Sequence, residues 1–226
     1  MPPHLTDSLL PQSSQPQLLA KRGFTLVELL TVIAIIAILA VILIPVVARI
    51  QNSAKDNKCA SNLRQIGMLA QLYETDHHGE IPYCKNYQTN THWFEALAKY
   101  AGNDQGGLNY NQNREIFYSC PHYELGKDSE DFEVWNPGYG LNREPGLPDE
   151  KDRNWAGAPG SNQRIFRMSE ITDPAQRVYF GDSQDYHMAA ANVDTDRHGD
   201  HANFVFFDGH VEPLTAEQIE SAFSPY

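Results

Sequence analysis

The feature that most limits what this chain can become is an uncharged apolar block from Leu29 to Val47, interrupted only by Thr31 and Pro45. A helix rises about 1.5 Å per residue, so a block of that length makes a rod of roughly 28 Å, close to the hydrocarbon thickness of a bilayer. One transmembrane helix is the expected consequence. The 226 residues leave room beside it for one modest globular domain. That remainder is polar, and the whole chain carries a formal net charge of -12 with no block of basic residues. Nucleic-acid binding is disfavoured, because phosphate contacts need clustered Lys and Arg. An acidic balance suits a solvated extracytoplasmic head and the binding of cations.

The flanks of the block differ. Residues 1–20 mix Pro, Gln, Ser and Leu without periodicity and read as a disordered leader that ends in the basic pair Lys21-Arg22. Gly23 then precedes Phe24-Thr25-Leu26-Val27-Glu28, so the candidate cleavage point lies before the apolar region, whereas an ordinary secretory signal is cut after it. Beyond the block, Val47, Ile50, Ala54, Cys59, Leu63, Ile66, Ala70 and Tyr73 recur mostly at three- or four-residue steps. This predicts one helix from Thr25 to about Glu74, roughly 75 Å long, with an amphipathic second half that can pack on a head. Thr75 to Gly79 and then Pro82 end it.

The head reads as a small antiparallel sheet with long loops, which makes the fold class α+β. A short helix is expected over Thr91 to Tyr100, a strand over Ile116 to Cys120, and a long surface loop over residues 136–163. Arg177 to Gly181 reads as a strand. Ala202 to Phe207 and His210 to Leu214 form a hairpin through Asp208-Gly209, expected as a type I′ turn with Phe206 opposite Val211. Thr215 and Gln218 stand in capping-box positions for a terminal helix.

Glu28 is the residue that needs a reason, because a carboxylate in apolar surroundings is costly and usually has a partner. Cleavage between Gly23 and Phe24 would free an α-amino group four residues away. In a filament, that amine on one subunit can pair with Glu28 of its neighbour. The alternative is a plain signal anchor with Glu28 at headgroup level.

Lys21 to Glu28 closely resembles the processing site of type IV prepilins and type II secretion pseudopilins. His198, nine intervening residues and Asp208-Gly209 resemble a C-terminal pattern in a subset of that family, as Lys58 to Gln65 resemble the stretch after its membrane span. The resemblance implies a membrane peptidase that cuts after Gly23 and methylates Phe24. It implies a pilin-like layout: leader 1–23, transmembrane half-helix 24–48, amphipathic half-helix 49–75 and extracytoplasmic head 76–226. Its implied partners are the prepilin peptidase, other pilin or pseudopilin subunits and the inner membrane. Charge does not orient the span, since Lys21 and Arg22 are answered by Arg49, Lys55 and Lys58. The family likeness places the head outside. Two other readings stay open: a membrane-tethered protein that binds a ligand or metal, and a tethered enzyme, for which no Gly-x-Ser-x-Gly, His-Glu-x-x-His or phosphate loop is present. No catalytic residue is expected.

Within the head, Asp182, Asp185, Asp194, Asp196 and Asp200 crowd a segment that also holds His187, His198 and His201. If the strand before Asp182 runs antiparallel to the strand after Asp200, these carboxylates converge at one end. Calcium, which takes six to eight oxygen ligands, is the cofactor such a loop would hold, and major pseudopilins have calcium in a C-terminal loop. A solvated acidic loop without metal is the alternative. Zinc through the histidines is a weaker option, since no tight ligand spacing is visible. His198 and Asp208 are not expected to pair directly, because the strand between them spans about 20 Å. Of the three cysteines, Cys59 sits on the head-facing stripe of the long helix and reads as a buried free thiol, which leaves Cys84 with Cys120 as the expected disulfide.

Overall fold

The structure, a computed structural model, describes residues 24–87, 89, 91–102, 117, 120–122, 138–143, 155–156, 166–195 and 197–223. The leader with Gly23, Asp196, and all but Phe117 and Cys120 of the strand expected at Ile116 to Cys120 lie outside the described residues. Helix α1 runs Leu26–Asp76 with Pro45 in its interior, close to the expected bounds. Residues up to Ala48 and residues from Arg49 onward form two compact units.

In the first unit α1 is apolar on every face. Its large side chains are exposed from Leu26 (79%) to Val47 (46%), and an 18-residue window reaches a mean hydropathy of 3.2 with none of it buried. A helix that is hydrophobic all round and buries nothing within its own chain is suited to lipid or to neighbouring apolar helices.

The second unit is built around a five-stranded sheet. In chain order its strands are β3 (Tyr139–Asn142), β5 (Val178–Asp182), β6 (His187–Met188), β7 (His201–Phe206) and β8 (Val211–Thr215). Across the sheet the order is β6-β3-β5-β7-β8, antiparallel throughout except for the parallel β3–β6 pair. Three two-residue strands, β1 (Lys85–Asn86), β2 (Thr91–His92) and β4 (Trp155–Ala156), make a second small sheet. Helix α2 (Trp93–Ala98) passes into a 3₁₀ turn, Lys99–Ala101, closed by Gly102, and α3 (Ala216–Phe223) follows β8.

Both faces of the central strands are covered. Cys59, Leu63, Ile66, Ala70 and Tyr73 of α1 share one core with Trp93, Phe94, Leu97, Tyr179, Phe180, Val205 and Phe207. Val178, Met188, Ala202, Phe204, Phe206, Leu214 and Ile219 form a second. The near-continuous apolar run of β7 follows, because a strand buried on both faces has no side to leave polar. Gly181 lies opposite Phe204, and a Cβ there would come within 2.3 Å of the Phe204 ring.

Two expectations need correction. Residues 136–163 are not all surface loop, since β3 lies inside the sheet with all four residues buried. Its Gly and Asn gave it a loop composition, but Asn142 Nδ2 donates to the Val178 carbonyl at 2.8 Å, so a polar side chain serves a buried acceptor. The Asp208-Gly209 turn is not type I′. Of its residues only Gly209 has a positive φ, 91°. Gly209 N–H donates to Phe206 O and Phe206 N–H to His210 O, both at 2.9 Å, which is a three-residue loop with a glycine bulge. Val211 therefore pairs with Val205, not Phe206. Asp208 stays out of the left-handed region, and its carboxylate accepts from His210 N–H at 3.1 Å.

Candidate functional site

At the start of α1, Thr25 and Glu28 close a reciprocal cap. The Thr25 N–H and its hydroxyl both donate to Glu28 Oε2 at 2.8 Å, and Glu28 N–H donates to Thr25 Oγ1 at 3.2 Å. This is a capping box, two orphan donors of a helix terminus satisfied within four residues. Reading Glu28 only as a lone charge misses it, although Thr-x-x-Glu is visible in the sequence. Phe24, immediately outside the cap, is 84% exposed.

In the head, the aspartates do not gather around a shared centre. Asp182 is fully buried and spends its carboxylate on three partners: Arg197 Nη1 at 3.0 Å, His198 Nε2 at 2.9 Å and the Asn203 N–H at 2.8 Å. Burial alone would push its carboxyl up, but the His198 bond, the Arg197 charge and the Asn203 amide hold it below the usual carboxylate range. Asp194 accepts from the same guanidinium at 3.0 Å. Asp185 accepts from Tyr186 N–H and faces His187, and Asp200, 91% exposed at its side chain, faces His201. The positive charge that this acidic segment calls for is Arg197, which also donates to the carbonyls of Gly138 and Ser183. None of Asp182, Asp185, Asp194 and Asp200 belongs to a group of three metal-ligand atoms within 4.8 Å of one another among the described residues.

His198 is the residue the segment is organised around. Its side chain is fully buried, with Nε2 on Asp182 and Nδ1 2.7 Å from Asp56 Oδ1 on α1. Burial opposes charge on the ring, yet the two carboxylates raise its pKa above the ordinary histidine value. Asp208, ten residues on, pairs locally with His210 at 2.6 Å. The His-x9-Asp-Gly spacing thus joins an interior anchor to a hairpin turn, with β7 between them.

The disulfide joins Cys59 to Cys120, with Cα atoms 4.9 Å apart, and Cys84 is a buried free thiol. The expected Cys84–Cys120 pair is therefore corrected. Cys59 does lie on the buried stripe of α1, but that stripe faces the Cys120 segment. Cys84 lies near β3 and donates from Sγ to the Leu141 carbonyl at 3.4 Å.

Residues 18–44 match the family described as the prokaryotic N-terminal methylation motif. No curated protein and no solved structure matches the chain. The matched segment contains the basic pair, Gly23, Phe24, Glu28 and most of the apolar block. With the apolar helix and the antiparallel-rich head, it supports a type IV pilin-like, membrane-anchored protein whose precursor is processed by a prepilin peptidase and which assembles with other pilin subunits.

Proposed function

We propose that this chain is a structural subunit, a pseudopilin or minor pilin, of a type II secretion system or type IV pilus-like filament. Cleavage between Gly23 and Phe24 removes the leader, and the new N-terminal amine on Phe24 is methylated. Residues 24–48 then anchor the subunit in the inner membrane, with the head, residues 76–226, on the extracytoplasmic side. Its role is assembly, not catalysis.

The observation that carries this reading is the coincidence of the methylation-motif match with a carboxylate in the first turn of a helix that is otherwise apolar, Thr31 aside, as far as Ala48. Within one subunit both Thr25 bonds to Glu28 land on Oε2, so Oε1 can accept from outside the chain. A neighbour's Phe24 ammonium is the donor that assembly would bring there, and in a poorly solvated bundle a charge left alone is costly.

Glu28→Ala tests the proposal in cells that carry the parent filament system. Membrane insertion and cleavage after Gly23 should continue, while recovery of the subunit in fibres sheared from the cell surface should fall at least tenfold. Incorporation equal to the parent's would contradict the charge pairing and favour a head that is merely tethered.

A further inference from the structure

We infer that Asp56, His122 and His198 form a binding site for a divalent transition-metal ion of the zinc class. The three come from parts of the chain that no linear motif connects. Asp56 is on α1, His122 follows the disulfide-bonded Cys120, and His198 lies in the loop before β7. Their ligand atoms nevertheless lie within 4.8 Å of one another. Asp56 Oδ1 is 2.7 Å from His198 Nδ1 and 2.9 Å from His122 Nε2, and the two imidazole centroids are 4.9 Å apart, edge to face.

Two further features point to a metal. The far nitrogen of His198 donates to Asp182, a fully buried carboxylate, at 2.9 Å. That bond holds a proton on Nε2 and fixes the ring so that Nδ1 faces Asp56; a bound ion would displace the proton that Nδ1 shares with Asp56 Oδ1, as in metal sites where a carboxylate orients a ligating histidine. His122 Nε2 is a buried atom that, despite its nearness to Asp56, makes no hydrogen bond of acceptable geometry among the described residues. His122 Nε2 and Asp56 Oδ1 thus meet without a hydrogen bond, and an ion bound between them would use both atoms.

Size and chemistry fit the ion. Zinc bonds of about 2.0–2.1 Å in a tetrahedron separate ligand atoms by roughly 3.3 Å, so the 2.7 and 2.9 Å spacings to Asp56 need to open by roughly half an ångström. Two imidazole nitrogens and one carboxylate suit zinc and its neighbours, whereas calcium prefers an all-oxygen shell. Asp56 retains 35% exposure at its side chain and His122 17%, which gives the ion a path in and a fourth position for water. The Cys59–Cys120 bridge holds the arrangement covalently, because Cys59 is one helical turn from Asp56 and Cys120 two residues from His122.

The test uses the full-length protein in detergent micelles with its disulfide intact. Titration with zinc chloride should show one ion per chain and raise the melting temperature by about 5 °C or more at a hundredfold excess over Kd. Cobalt(II) in its place should give the intense visible absorption of a tetrahedral centre. His122→Ala and Asp56→Asn, both at partly exposed positions, should each weaken binding at least tenfold, and His210→Ala, at the distant turn, should leave it unchanged. Four results would overturn the site: no thermal shift with zinc, an equal shift in the His122 and Asp56 variants, an equal shift with calcium chloride, or a shift that appears only after reduction. The last would mean that the freed thiolates of Cys59 and Cys120, not the Asp56 set, hold the ion with His198.

Discussion

The N-terminal segment and the head solve the problem of placing a charge in opposite ways. Glu28 finds its partner three residues away, within the first turn of its own helix, and its surroundings are apolar whatever the rest of the chain does. His198 finds partners on β5 and on α1, the latter 142 residues away in sequence, and each contact exists only once the sheet and helix have met. A local arrangement can be matched as a motif and moved between proteins. An assembled one depends on the stability of everything that brings it together.

That contrast is sharpest at Arg197. Its guanidinium is nearly fully buried and pairs with Asp182, which has no exposure at all. Removing one member of a buried pair leaves an uncompensated charge and costs about 3–5 kcal/mol. Arg197→Met should therefore lower the melting temperature of the protein by about 10 °C or prevent the head from folding, without altering membrane insertion. Thermal melts followed by circular dichroism check this, and a loss below about 1 kcal/mol would show that the acidic segment is held by something else.

The disulfide comes next in size. It closes a loop with a sequence separation of 61, and its removal in Cys120→Ser should cost about 2–4 kcal/mol. Thiol labelling of the parent under denaturing, non-reducing conditions should modify one cysteine, Cys84. Modification of Cys59 with Cys84 protected would restore the rejected pairing.

A smaller effect is expected at Glu74, where α1 meets β5. Tyr179 donates to its carboxylate at 2.9 Å, but burial pushes the Glu74 carboxyl up to about 7 from 4.5 despite that bond. The folded state then holds a proton that the unfolded chain releases. Stability from this group is complete below about pH 4.5 and is lost as pH rises through 7. Glu74→Gln, which keeps an acceptor for Tyr179 and cannot ionise, should be more stable than the parent at pH 8 by about 3 kcal/mol and equal to it near pH 4. Parallel stability curves for the two proteins would remove Glu74 from the pH response.

Most of the frame was legible in the sequence: the long helix, the second helix, β5 and the β7–β8 hairpin follow from apolar periodicity and turn residues. What escaped was decided by tertiary contact. The strand at Tyr139–Asn142 carries loop-forming residues and becomes regular because neighbours on both sides complete its hydrogen bonds. The aspartate segment displays its negative charges openly, whereas the cation that answers two of them, Arg197, is a single residue beside His198 with no pattern to mark it. Cys59 lies on the buried stripe of α1 as its spacing predicts, yet periodicity cannot say which loop that stripe will meet.

The most direct test of the pilin-like reading is the N-terminus of the mature protein. Mass spectrometry of protein extracted from membranes of cells with an active prepilin peptidase should find chains that begin at Phe24 and carry one added methyl group on the α-amine. Recovery of full-length chains beginning at Met1, or of a terminus produced by cleavage after the apolar block, would contradict it.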